Sequence, residues 1–440
     1  MKSCRTLLAC LIATVFMLTI PGISLAGYDY IDITQPYLRK LPIAVPFFKK
    51  ISTGDDAAQL SKKLSDLLAE TLDFTGYFKI MNREAFLVNP QTDAGFVNVI
   101  FHDWTSIGAE LLITGGVLVK DNLLEIELRL YDTFKEKLLV GKRYKGAISD
   151  QRRIIRRFCS DVIYSLTGDR GIFDTQIAFV STSSGTKEIY FCEFDGYNIQ
   201  RVTHTKSISL SPAWSSDGQW IAYTSYAGGK PDLYIKHLKE KRGTVVSKTG
   251  INITPAWRPN TFELAATLSF SGDPEIYLLT GTGKVIKRLT NSKGIDVSPT
   301  WSPDGKHMAF VSKRSGTPQI YVKNLDSGQA NRLTFQGRYN TQPNWSPKGD
   351  KIAYASMEGG LNNIFVIGID GQGPIQLTHN EGDNESPSWS PDGSLIVFSS
   401  TREGPSRIYV MTGYGTDQRR LLTLKGQQSQ PKWSPRMTGK

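Results

Sequence analysis

The chain has 440 residues, of which 40% are hydrophobic and 10% aromatic, so it is no disordered polymer and is long enough for two or three domains. The formal charge of +11 includes Lys2 and Arg5, whose removal with a leader gives 11 − 2 = +9. Such a surface suits anionic partners, but an exported protein, the class implied by the first residues, does not meet nucleic acid.

Lys2 and Arg5 precede an apolar run from Leu7 to Ile20, a breaking Pro21-Gly22 and the small-residue site Ser24-Leu25-Ala26. This order predicts a secretory signal over residues 1–26, cut after Ala26. The run is shorter than the roughly 20 apolar residues of a spanning helix, and no later stretch approaches that length. Cys10 stands near the start of the apolar run instead of after it, which argues against lipidation. Cys159 and Cys192 then remain, expected on a helix and a strand of different domains, either bridged or as two thiols.

Residues 27–170 predict a small α/β domain. Tyr28 to Gln35 alternates and reads either as an edge strand of this domain or as a strand added to a partner's sheet. Pro42 to Phe48 reads as a buried strand. Asp55-Asp56 open a helix that gathers Leu60, Leu64, Leu67, Leu68 and Leu72 on one face. Strands follow over 110–120, 124–130 and 138–145, the middle one strictly alternating. A second helix, from about Asp150 to Leu166, buries Ile154, Ile155, Phe158, Val162 and Ile163 and turns Arg152, Arg153, Arg156 and Arg157 to solvent. Gly168 can end it in the left-handed conformation.

From residue 171 the chain repeats. Tryptophan recurs at Trp214, Trp257, Trp301, Trp345, Trp389 and Trp433, with steps of 43, 44, 44, 44 and 44 residues. Alanine or valine keeps the same spacing at Ala178, Ala222, Ala265, Ala309, Ala353 and Val397, as does an aromatic at Tyr190, Tyr234, Tyr277, Tyr321, Phe365 and Tyr409. Three ladders with one period predict six four-stranded blades of a β-propeller. The turn Trp301-Ser302-Pro303-Asp304-Gly305 recurs at Trp389 and drifts elsewhere, as suits structural turns. The first Ala strand lacks a Trp strand before it and the last Trp strand has nothing after it, so the carboxy-terminal strand is expected to close the ring. The fold class is therefore multidomain: an α/β domain followed by a closed, all-β six-bladed propeller.

The segment before each Trp strand crosses to the next blade and is expected to surround the channel. Three positions before the repeat's Pro stand Ser209, Asn252, Asp296, Asn340, Asn384 and Gln428; one position before it stand Ser211, Thr254, Ser298, Gln342, Ser386 and Gln430. These predict a polar ring at the channel mouth, able to receive a peptide or, with Asp296 and Glu385, to help hold a hard cation such as calcium; alternatively they serve only as turn formers. No GxSxG, HExxH or paired-histidine spacing occurs, and His102, His204, His237, His307 and His379 are scattered, so no catalytic residue, metal ligand set or resident cofactor is expected. Gly281-Thr282-Gly283-Lys284 reads as a hairpin turn and not a phosphate loop.

Taken together, the leader, the α/β domain, the link from Gly168 to Asp174, Ile177-Ala178-Phe179-Val180-Ser181 and the six copies around P-x-W-S-P-D-G resemble the TolB family, the periplasmic propellers of the Tol-Pal system. The resemblance implies a monomeric, non-enzymatic periplasmic adaptor that supports outer-membrane integrity and invagination at division. It implies binding of the lipoprotein Pal, and through it the outer membrane, at the channel mouth, where Ile251, Asn252, Thr254, Val297 and Ser298 match the family's contact loops by position. It also implies binding of TolA by the segment containing Tyr28, Asp29, Tyr30, Ile31, Asp32 and Ile33. The rival readings are an exported hydrolase-like propeller and a glycan binder, the latter favoured by exposed aromatics at the mouth, where Tyr339 is the one that the sequence places there.

Overall fold

The computed structural model describes residues 39–51, 55–87, 99–379 and 381–437. The leader and the Tyr28–Gln35 segment lie outside them.

The amino-terminal domain is a mixed sheet with strands β1 (Leu41–Ala44), β2 (Lys49–Lys50), β3 (Phe78–Ile80), β4 (Leu111–Lys120), β5 (Leu123–Asp132) and β6 (Lys137–Ala147). Its order is β3-β1-β4-β5-β6, with β2 also beside β4. The first strand is shorter than the apolar run suggests because Pro46 has no N–H to give to a ladder; the chain leaves after Ala44, and Phe48 folds back, fully buried, into the core. Helices α1 (Asp55–Asp73), α2 (Phe101–Thr105) and α3 (Gln151–Thr167) cover the sheet. Leu64, Leu68 and Leu72 of α1 join Ile155, Phe158 and Val162 of α3 over Ile126, Leu128 and Leu130 of β5, so the alternation of β5 does turn one face inward. Trp104 of α2 fills a separate cluster with Ala44, Leu112 and Tyr131. Helix α3 ends where Gly168 takes a φ of 76° and donates its N–H to the Tyr164 carbonyl. Cys159 and Cys192 are buried, free thiols, both pushed up in pKa by burial.

Six four-stranded sheets follow. The first blade is completed by the end of the chain: Gln428–Trp433 pairs antiparallel with Gln176–Ser181, setting Lys432 opposite Ala178 and Trp433 opposite Ile177. Apolar clusters lie between successive blades. Ala178, Ile189, Phe191 and Trp214 fill the space between the first and second, and Ala353, Ile364, Trp389 and Phe398 that between the fifth and sixth. Between the sixth and first blades, Leu395, Val397, Ile408 and Trp433 belong to one core with the amino-terminal domain, through Ile163, Phe173 and Phe194.

The two domains meet on the propeller face that carries the outer hairpins of those two blades. Phe194 receives Phe74 and Phe173 edge-on at 5.3 and 5.6 Å. Lys40 pairs with Asp417 at 2.7 Å, and Arg419 donates to the Phe74 carbonyl. The four arginines of α3 are not one solvated face. Arg156 pairs with Glu193 at 2.8 Å and Arg152 with Asp195, both in the first blade, while Arg153 and Arg157 are exposed. Helix periodicity sorts apolar from polar faces but does not tell which polar stripe meets another domain.

Deleting residues 431–440 removes half of the strand that closes the ring, and is expected to give insoluble or protease-sensitive protein; an unchanged melting temperature would show that closure is dispensable. Trp433→Ala alone should cost about 3–5 kcal/mol in urea unfolding.

Candidate binding site at the channel mouth

The axis is ringed by the Trp strands Ser209–Trp214, Asn252–Trp257, Asp296–Trp301, Asn340–Trp345, Asn384–Trp389 and Gln428–Trp433, each packed beside the next. Every one carries a bulge. In the second blade Leu210 pairs with Thr224 and Ala213 with Ala222, so Ser211 and Pro212 together oppose Tyr223. The same shift occurs in the other five blades. At each bulge the residue before the proline is left-handed: Ser211, Thr254, Ser298, Gln342, Ser386 and Gln430 have φ between 50° and 55°. For a residue with a Cβ this costs on the order of 1–2 kcal/mol, and β-branched Thr254 is a marked outlier. The closed ring imposes it six times, and the result is that each of these side chains is aimed at the axis.

The two polar rows read from the sequence therefore part company. Residues one before the proline line an axial cavity of about 200 Å³. Those three before it, Ser209, Asn252, Asp296, Asn340, Asn384 and Gln428, are fully buried beneath the crossing loops. The amide of Asn252 donates to the Lys248 carbonyl at 2.9 Å, that of Asn340 to the Gln336 carbonyl at 2.7 Å, and that of Asn384 to the Gly382 carbonyl at 3.0 Å. Gln428 donates to the Gly426 carbonyl at 2.8 Å, and the Ser209 hydroxyl lies 3.4 Å from that of Ser225. They tie the loops down and present nothing at the surface. Period-two counting places both rows on one face; the bulge between them breaks that count.

Nor do the two carboxylates form a cation site. Asp296 pairs with Arg314 at 2.8 Å and accepts from the Ser292 hydroxyl at 3.1 Å. Burial pushes its carboxyl up, against the opposing pull of a Ser312 hydrogen bond and Arg314. Glu385 accepts from the Asn362 amide at 2.8 Å, and burial, with the charge of Asp383, pushes it up too. Among the described residues no three His, Cys, Asp or Glu side chains gather as a metal site.

What the mouth does expose is apolar. Ile251 and Val297 are half-buried on the crossing loops, and Ile208 and Tyr339 more open. The hairpin tips add Tyr226, Phe270 and Met357. Backbone bonds from Tyr226 to Ile208 (2.9 Å), Ser269 to Ile251 (3.1 Å) and Met357 to Tyr339 (3.0 Å) hold tips against loops. The corresponding bonds in the sixth and first blades join polar residues, Thr401 to Asp383 and Thr182 to Gln427, each at 3.0 Å. In the fourth blade the bond joins exposed Lys313 to Ile295 at 3.0 Å, so an apolar arc interrupted by one lysine faces a polar one. Sequence reading missed Tyr226 and Phe270 because they occupy different places in the repeat, one in line with Ser269 and the other following it, so no ladder marks them.

The buried row allows a sharp substitution. In the sixth blade Arg402 donates to the Asn384 amide oxygen at 3.1 Å, its Nε to Ser400, just as Arg314 holds Asp296 and Ser312. Asp296→Asn copies that arrangement and should change unfolding free energy by no more than about 1 kcal/mol. Asp296→Leu strands Arg314 and should cost about 3–5 kcal/mol. Because burial holds the folded-state pKa of Asp296 above the unfolded one, wild type is favoured at acid pH, and the stability of Asp296→Asn relative to wild type should rise as pH climbs through that window, measured by urea unfolding at stepped pH.

Comparison with known proteins agrees with this architecture. The family described as the TolB beta propeller domain matches residues 164–437, and the TolB amino-terminal domain matches residues 29–139. The Tol-Pal system protein TolB of Desulfosudis oleivorans is 58% identical over 283 residues, 64% of this chain and 65% of its own length. A protein TolB homolog of Chlorobaculum tepidum is 46% identical over 293 residues, 66% of each chain. The aligned part thus spans just under two thirds of these relatives. The crystal structure of TolB from Acinetobacter baumannii superposes with a TM-score of 0.78 at 26% identity, covering 90% of this chain and 97% of that one. With both domain families matched in order, and the propeller match alone spanning more than half of the sequence, the chain belongs to the TolB family.

Proposed function

We propose that the protein is a non-enzymatic periplasmic adaptor of the Tol-Pal system. It binds the lipoprotein Pal at the channel mouth and TolA through the segment Tyr28 to Ile33, and in this way serves outer-membrane integrity and invagination at division. The observation that carries the reading is the pairing of family membership, with relatives named as Tol-Pal system proteins, and a rigid mouth whose accessible groups suit docking. An apolar arc ending in hydrogen-bonding groups is the composition of a protein contact.

In this proposal Ile251, Thr254, Val297, Ser298 and Glu385 touch Pal, and Tyr226, Phe270, Tyr339 and Met357 extend the contact. The buried Ser209, Asn252, Asp296, Asn340, Asn384 and Gln428 act only by holding the loops in place. In this proposal Pal carries the attachment to the outer membrane.

The combined variant Phe270→Ala/Tyr339→Ala removes two exposed rings. It should weaken binding of the soluble domain of Pal at least about tenfold, since aromatic anchors dominate such contacts, with an unchanged melting temperature. Wild-type affinity in calorimetry would move the site elsewhere; turnover of a small substrate with no Pal recovered from the envelope would favour the hydrolase reading. Deleting residues 27–35 should abolish TolA binding while folding and Pal binding persist. Full TolA binding by the deletion protein would make that segment an ordinary edge strand.

A further inference from the structure

Below the mouth, the cavity inside the bulges is rich in donors and holds one charge. One residue after each repeat proline stand Ala213, Ala256, Thr300, Asn344, Ser388 and Lys432. Thr300, Asn344 and Ser388 each accept the N–H of the next blade's tryptophan, at 3.3, 2.8 and 3.0 Å. A lysine cannot accept, so Lys432 of the closing strand has no such task, and it lines the axial cavity. Among the described residues its ammonium meets no carboxylate, and no other residue lining the cavity is ionisable. Burial alone pushes it down to about 8, which still leaves it charged at neutral pH.

The neighbouring polar groups are turned the same way. The Gln430 side-chain oxygen accepts the Ser211 N–H at 2.8 Å, and that of Gln342 accepts the Ser386 N–H at 2.7 Å. These bonds orient both amides and leave their N–H donors to offer, beside the hydroxyls of Ser211, Ser298 and Ser386. A half-buried cation among donors, with no carboxylate beside it in the cavity, is an unsatisfied half of a charge pair. We propose that the axial cavity is an anion site, in which Lys432 and the amides of Gln342 and Gln430 bind one carboxylate or phosphate group, free or carried on a partner's side chain. A cation at the axis would meet repulsion from Lys432, so the site has the opposite sign to the calcium expectation.

The probes are acetate and phosphate, titrated calorimetrically into the whole mature protein against chloride at equal ionic strength. Saturable binding is expected, weakened about tenfold or more in Lys432→Met, as for loss of a hydrogen bond to a charged group. Gln430→Glu, which keeps the acceptor for Ser211 and supplies a carboxylate internally, should lose binding to a similar degree and covers the case in which the lysine variant fails to fold. Binding should also fade as pH rises through about 8, since only Lys432 titrates within the cavity. Heat indistinguishable from the chloride control in wild type, or wild-type binding by Gln430→Glu, would overturn the proposal. Acetate that displaces bound Pal identifies the anion as a partner's carboxylate, and acetate that leaves the complex intact identifies a free anion.

Discussion

The antiparallel pairing of Gln428–Trp433 with Gln176–Ser181 is the contact on which the rest depends. Without it the first blade has no inner strand, both ends of the blade array are open edges, and the bulges lose the neighbours that hold them. It joins residues about as far apart in sequence as the propeller allows, so it forms only at the expense of closing a very long loop. Several groups share the load there. Trp433 donates its N–H to Ser388 at 3.0 Å and its indole N–H to Thr175 at 2.8 Å, and Ser434 accepts the Gln176 N–H at 2.9 Å.

The amino-terminal domain sits against this seam. Its core runs without a break into the space between the sixth and first blades, through Phe173, Phe194 and Leu421. Arg436, just after the closing strand, accordingly reaches the Gly171 carbonyl at 2.8 Å in the segment that joins the domains. The domain is thus more than an appendage: it covers the join at which the ring would open, on the face opposite the mouth.

Much of this was legible in the residues. The ladders of Trp, Ala and Tyr mark positions that bury or half-bury a side chain in every blade, and burial is what fixes residue type; the leucines of α1 were readable for the same reason, and Gly168 because a left-handed helix end favours glycine. The bulges were not, because polar Ser, Gln and Thr at left-handed positions carry none of the glycine signal that usually marks φ > 0. Hence the row from Ser209 to Gln428 was expected at the surface and is found beneath it. Arg152 and Arg156 failed differently: a charged stripe that meets a second domain has the same sequence pattern as one that meets water.

The channel departs from six-fold equivalence at the strand that closes it. Five blades place Ala, Thr, Asn or Ser after the proline, groups that are neutral and in three cases cap the neighbouring tryptophan, whereas the closing strand places Lys432 there. Ring geometry does not require this, since the Trp214 indole N–H is satisfied by the Lys432 carbonyl at 3.0 Å, a backbone group that any residue would supply. A partly desolvated charge without a partner adds nothing to stability, so the lysine side chain is not explained by folding. The strain at the bulges has the same character: it aims six polar side chains at an axis that packing alone would fill with apolar ones. Both features cost stability at the centre of an otherwise regular ring, and both become favourable once a group of negative charge occupies the axis.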